Sequence, residues 1–500
     1  MLEPKFEDIC LYQKKLSLLD RKKIECKTEV SVDNITRILN IHLKPIITKS
    51  QVLNGVIEYD GVATFFVCYI DKDGKIRKCE CNSEFSGNIK SADITECCFA
   101  SLYAVDCRSE ADTSLTMLNL SGSILITAMV NEKKMVSVLS NSQDLICNHK
   151  EIDIAKSYGV RESVYPIQED FEVLGVVEEV ICQQAEAQIT SVACGVGSII
   201  VDGNVYFQAI FLQSEEKKDI IKETKVSPFR IEIDYPECMP TMNAFARVWA
   251  KSLKTEISVD ANKNLSQVSC TIVLRLEGEA YTTESIPVIA DAFSKTHNLE
   301  VIDREIIHHM PNKIEGSQMV VKAVAQTEEL PVGTMLVCSF GERAEIVSTE
   351  KIENGISVAG LTSIEGLFRD IDGNLFTRKL EAPFVAEVNC SKLAYEDVLC
   401  LATSGTLKMV SATELEITCQ LAFTIYSWQE NSQRFITAVN VLGEKQPNGF
   451  AISVYLPTVN EDLWALSKRL NTSPEELLET NPELQFPLSG KERIVVFRGK

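Results

Sequence analysis

Apolar and polar residues alternate over long stretches of this chain. Leu118-Asn119-Leu120-Ser121-Gly122-Ser123-Ile124-Leu125-Ile126, Val268-Ser269-Cys270-Thr271-Ile272-Val273-Leu274 and Leu415-Glu416-Ile417-Thr418-Cys419-Gln420-Leu421 put every second residue on one face. A period of two predicts half-buried strands of antiparallel sheets. Three other stretches share two glycines and a later phenylalanine: Gly55 and Gly61 with Phe85, Gly197 and Gly203 with Phe229, and Gly355 and Gly360 with Phe384. The step from the second glycine to the phenylalanine is 24, 26 and 24 residues. Glycine is expected where strands turn with positive φ or approach closely. Asp73-Gly74 and Asp372-Gly373 read as hairpin turns.

A repeat of about 140–160 residues is too long for a solenoid and fits whole tandem domains. The expected fold is mainly β, with three tandem sandwich-like domains at 26–160, 161–310 and 311–448. The boundaries are set where Tyr158-Gly159 and Met310-Pro311 interrupt the strand pattern. Residues 1–25, with Lys14-Lys15 and Arg21-Lys22-Lys23, read as a lead-in segment whose charges form a solvated face.

Residues 449–500 change period. A strand at Ala451–Leu456 leads into Thr458-Val459-Asn460-Glu461, which has the capping-box pattern of a helix start. Leu463, Leu466 and Leu470 then recur at helical spacing. Ser473-Pro474-Glu475-Glu476 marks a second helix start, Asn481-Pro482 its end, and Ile494–Phe497 a final strand. This predicts a small α+β unit of order βααβ.

The chain has 50 basic and 71 acidic residues, a net charge of −21, which repels phosphate backbones and argues against a general nucleic-acid binder. Seven acidic and six basic residues fall in 449–500, so the negative charge lies in the β domains. The 17 cysteines form no CxxC pair, and the reading is reduced, buried thiols inside a cell rather than a disulfide framework or zinc site. No signal-peptide pattern opens the chain and no apolar run is long enough for a membrane span. His308-His309 lack the spacing of a helix-borne metal site and are expected in a turn or at the surface. No phosphate-cradling glycine loop or nucleophile elbow occurs. No cofactor, metal or catalytic set is expected, and the protein reads as a non-enzyme.

The last segment resembles a LysM domain, through Asp462-Leu463-Trp464-Ala465-Leu466-Ser467, Asn471-Thr472-Ser473, Leu477-Leu478 and Asn481-Pro482. The upstream repeats resemble the spore-coat-associated SPOCS domain, most clearly at Lys27–Val32, Pro45–Ile47 and Val52–Val62. Several such domains followed by one LysM is the arrangement of clostridial spore-coat morphogenetic proteins. The resemblance implies a scaffold at the forespore surface, on the mother-cell cytoplasm side. Its LysM-like domain would dock on the ATP-hydrolysing basement-layer protein, and its SPOCS-like domains would recruit other coat proteins. Asn460-Glu461-Asp462-Leu463 stands where LysM domains carry Gly-Asp-Thr-Leu, which ranks binding of N-acetylglucosamine in peptidoglycan as the alternative. The expected docking surface is Asn460, Glu461, Asp462, Leu463, Trp464, Asn481, Pro482 and Glu483. Trp464 lies about 100° round the helix from Leu463, either in the core or facing outward as an anchor. Lys468-Arg469 reads as a helix face, with contact to an acidic partner as the lesser reading.

Overall fold

The computed structural model describes residues 3–114, 116–140, 145–213, 220–260, 265–390, 395–446 and 452–497. The fold is mainly β. Its first unit has six strands, β1 (Phe6–Ser31), β2 (Ile35–Leu53), β3 (Val56–Asp71), β4 (Ile76–Lys90), β5 (Cys98–Asp112) and β6 (Met117–Leu139). They form two antiparallel sheets, ordered β1-β6-β5 and β2-β3-β4. The second unit repeats this with β7 (Ile146–Leu174), β8 (Val177–Cys194), β9 (Ser198–Gln213), β10 (Ile220–Asp234), β11 (Asn243–Asp260) and β12 (Leu265–Phe293). The third repeats it with β13 (His297–Gln326), β14 (Met335–Ile352), β15 (Gly355–Arg369), β16 (Leu375–Asn389), β17 (Tyr395–Met409) and β18 (Glu414–Glu444). Their sheets are β11-β12-β7 with β10-β9-β8, and β13-β18-β17 with β14-β15-β16.

The alternation read from sequence is what closes each sandwich. Leu118, Leu120, Ile124 and Ile126 of β6 and Ile57, Tyr59, Ala63, Phe65 and Val67 of β3 point into one shared core. Asp71 and Asp370 build the expected hairpins, each carboxylate accepting backbone N–H groups two and four residues on. Gly74 and Gly373 supply the positive φ, 72° and 86°.

Each middle strand also pairs a glycine with an isoleucine beside a β-bulge. Ile47 faces Gly61, Ile189 faces Gly203 and Ile346 faces Gly360, and the register slips immediately afterwards in all three. The bulged strand presses a carbonyl towards the glycine. A Cβ at Gly61 would lie 2.6 Å from the Ile46 oxygen, closer than real contacts allow.

The outer strands differ from the sequence reading. β1 begins at Phe6 and pairs with β6 through Leu139, so the expected lead-in is a structural strand. β7 and β13 run straight across positions 160 and 310. The signals noticed there are real but internal. Gly159 has φ 101°, and the registers slip between Glu279 and Tyr281 and between Pro311 and Lys313. These are bulges that bend long hairpin arms.

The arms hold the three units together. Leu11, Val136 and Val138 of the first pack with Ile152, Ile154 and Val288 of the second and Phe435 of the third. A second junction joins Leu39 and Cys68, Ile210, and Phe340 and Leu367, again from all three. Burial follows from this closure. Lys14, expected on a solvated face, is 7% exposed and ion-paired with Asp397. His308 and His309, expected in a turn or at the surface, lie inside β13 and are 1% and 7% exposed. His309 Nδ1 accepts the backbone N–H of Lys14 at 3.1 Å, where β1 of the first unit meets β13.

Cys26 and Cys81 are joined as a disulfide between β1 and β4, which the all-thiol reading missed. Cys68, Cys98, Cys238, Cys270 and Cys419 are buried free thiols. No helix among the described residues is long and apolar enough to cross a membrane.

Candidate docking site

The C-terminal unit has the expected βααβ order: β19 (Ile452–Tyr455), α1 (Leu463–Leu470), α2 (Pro474–Thr480) and β20 (Ile494–Phe497). β19 and β20 pair antiparallel. Leu466, Leu470, Leu477, Leu488, Ile494 and Val496 form a core that shares no residue with the sandwich cores. α2 starts as its sequence predicts: Ser473 and Glu476 make the reciprocal capping box, and Pro474 occupies the first turn. α1 does not start at the first such signal. Thr458–Glu461 forms a turn, and Asp462 caps the helix by accepting the Ala465 N–H at 2.7 Å.

The eight expected docking residues separate into three groups. Asn460, Asp462, Pro482 and Glu483 are exposed. Glu461, Leu463 and Asn481 turn inward. Glu461 accepts Nε and Nη2 of Arg469, both at 2.9 Å, and the Thr458 N–H at 2.9 Å. Burial disfavours its charge, but Arg469 and Thr458 outweigh it and hold the carboxyl below the usual carboxylate range. Asn481 donates to the carbonyls of Leu477 and Val495 and accepts the Val495 N–H at 2.8 Å, tying α2 to β20. Leu463 packs against the unit's own core.

Trp464 is in neither of the places left open for it. Its ring meets Phe293, at the end of β12, edge-on at 5.4 Å between centroids. Its Nε1–H donates to Asp291 Oδ2 at 2.9 Å. Lys468, read as a helix face with an acidic partner as the lesser reading, donates to both oxygens of Asp291 at 2.7 Å. Asn471 Nδ2 donates to the Lys295 carbonyl at 2.7 Å, and Lys295 pairs with Glu476. The Lys295 ammonium holds the Glu476 carboxyl below its ordinary value. Lys445 bridges the Ser294 carbonyl and Asn471 Oδ1. Sequence reasoning missed Asp291, Phe293 and Lys295, because nothing local marks a strand end 170 residues away as the seat of a helix.

The sandwiches carry charge where they meet. Arg343 of β14 reaches Asp106 of β5 at 2.7 Å and donates to His42 Nδ1 of β2 at 3.2 Å. Burial, reinforced by Arg343, pushes His42 down to about 3, so the ring is a neutral acceptor. Burial raises Asp106, and Arg343 offsets part of the rise. Lys222 of β10 pairs with Glu342 of β14 at 2.6 Å. Each joins two units, and paired buried charges of this kind fix an arrangement more than they stabilise it. Among the described residues, no group of three or more His, Cys, Asp and Glu is placed to hold a metal. A groove of about 260 Å³ is lined by Lys49, Glu58, Tyr59, Asp60, Ser86 and Asn88 on the β2-β3-β4 sheet.

The stretch from β2 into β5 decides the relationship to known proteins. Residues 34–110 match the SipL SPOCS domain. The match points to a sporulation-related protein, and the matched strands recur in the second and third units with the same sheet order. No curated protein matches the chain significantly.

Proposed function

We propose that the protein is a non-enzymatic spore-coat morphogenetic scaffold. Its three SPOCS-like sandwiches form a closed body that recruits or spaces other coat proteins. Its LysM-like βααβ unit docks on the coat basement-layer ATPase at the forespore surface. The observation that carries this reading is the SPOCS match falling on β2–β5 of a unit built three times over. The separate core of the C-terminal unit supports a docking module. Peptidoglycan binding is the second reading. The inward turn of Glu461 and Asn481 counts against it, since their polar groups are spent inside the unit.

The test is affinity capture from sporulating-cell lysate with the full chain and with a chain lacking residues 452–500. Peptidoglycan cosedimentation runs alongside. Recovery of the ATPase, identified by mass spectrometry and lost on truncation, supports docking. Sedimentation with peptidoglycan and no ATPase recovery moves the conclusion to wall binding.

A further inference from the structure

The contact between α1 and the end of β12 is small, polar and partly open. In the Lys468–Asp291 pair the side chains are 45% and 30% exposed, and Trp464 against Phe293 is its aromatic element. Such a patch resembles a transient interface rather than a fused core. Exposed ion pairs contribute little and weaken in salt. The βααβ core is complete without it. Asp291 and Phe293 are two apart on a strand, and so lie on one side of it. The indole N–H and the Lys468 ammonium together read a carboxylate, and the indole ring reads an aromatic two positions on.

We propose that the Trp464–Lys468 face of α1 recognises a partner strand carrying an acidic residue and, two residues later, an aromatic one, and that Asp291–Lys295 occupies this face as an internal competitor until such a partner displaces it. This rests on the docking reading above and adds the chemistry of the partner and a built-in block. The free chain is a closed state, and the partner must outbid a segment held at high effective concentration.

The experiment uses the full chain and a fluorescein-labelled peptide of residues 287–297 as the probe. Asp291→Lys opens the contact, while circular dichroism and the main thermal transition report whether the sandwiches stay folded. Trp464 emission is isolated by subtracting a Trp464→Phe partner in each background. The expected result is a red shift of Trp464 in Asp291→Lys, reversed in Asp291→Lys/Lys468→Asp. Peptide binding should be at least tenfold tighter to Asp291→Lys than to wild type, and lost when the peptide's own aspartate is lysine. Should Asp291→Lys misfold, Asp291→Asn at unchanged salt replaces it, and the same red shift and peptide binding are expected. An unshifted Trp464, or equal peptide affinity for closed and open chains, overturns the proposal. ATPase capture that disappears on truncation, without peptide binding, would sink the internal competitor and leave docking intact. Peptide binding without capture would do the reverse.

Discussion

Gly61 and Phe85 lie directly opposite each other on β3 and β4, and the phenylalanine ring covers the space a glycine Cβ would fill. Gly203 with Phe229 and Gly360 with Phe384 repeat the pair. The ring packs over bare backbone on one side while a bulge carbonyl presses from the other. Gly61→Ala should therefore destabilise the first sandwich by about 2–3 kcal/mol, the upper range for overpacking. Adding Phe85→Leu should recover only part of the loss, since the Ile46 carbonyl remains. Calorimetric scans of the single and double variants measure both.

The Lys14–Asp397 pair joins the first and third units out of solvent. Burial, partly offset by Asp397, brings Lys14 down to about 8. Lys14→Met alone leaves Asp397 without its cation and should cost about 3–5 kcal/mol. Lys14→Met with Asp397→Leu should return to within about 1.5 kcal/mol of wild type. A double-mutant cycle by urea denaturation reads the difference directly.

His42 predicts an acid-sensitive junction. Its folded pKa, about 3, lies below the free value of 6.5, so the unfolded chain takes up the proton first. The stability it contributes is complete above pH 6.5 and falls as the pH drops towards 3, by at most about 1.4 kcal/mol per unit. Arg343 and Lys44 face it with positive charge. Nearby Glu365, pushed up to about 7 by burial, acts in the opposite sense, and its contribution is lost as the pH rises through 7. His42→Gln should remove about 2 kcal/mol of the loss between pH 7 and pH 5. Urea midpoints at the two pH values, for wild type and variant, check this.

Thiol chemistry should follow burial. Cys10 and Cys97 are exposed, whereas burial pushes the Cys182, Cys338, Cys400 and Cys419 thiols up to about 12. Thiolate is the reactive form. Brief iodoacetamide treatment of the native protein should therefore label Cys10 and Cys97 first. Labelling after unfolding without reductant should still spare Cys26 and Cys81. Peptide mass mapping distinguishes these classes.

Asn481 sits where a single side chain serves two elements. Asn481→Ala removes three hydrogen bonds to Leu477 and Val495, and should cost the βααβ unit about 2–3 kcal/mol. Hydrogen exchange should show faster amides in α2 and β20 with the sandwich cores unchanged.

The parts legible in sequence were those whose causes are local. The glycine-to-phenylalanine step was a cross-strand pair and so survived as a repeat in the chain. Ser473, Pro474 and Glu476 cap α2 by a bond pattern contained within four residues, and the βααβ order followed. Thr458–Glu461 carried the same kind of signal and formed a turn instead, because Asp462 takes the capping role by accepting the Ala465 N–H. What escaped was set by contacts between units. Lys14, His308 and His309 look like surface residues in any short window, and contacts between units bury them. Trp464 was read as core or outward anchor. Its seat on Phe293 depends on a strand end that carries no helix-binding pattern of its own.

The first and last strands of each sandwich end side by side, Phe6 against Leu139, Ile146 against Phe293 and His297 against Glu444. Besides the packed junctions of the arms, the chain therefore leaves each unit beside the point where it entered, at one end of a single antiparallel pair. A mechanical load passed from one unit to the next pulls such a pair open like a zipper, breaking one rung at a time, instead of shearing the whole ladder at once. Under tension each unit would yield gradually from its arms inward. The cores would stay closed until last, and the chain would lengthen and recoil without unfolding its sandwiches.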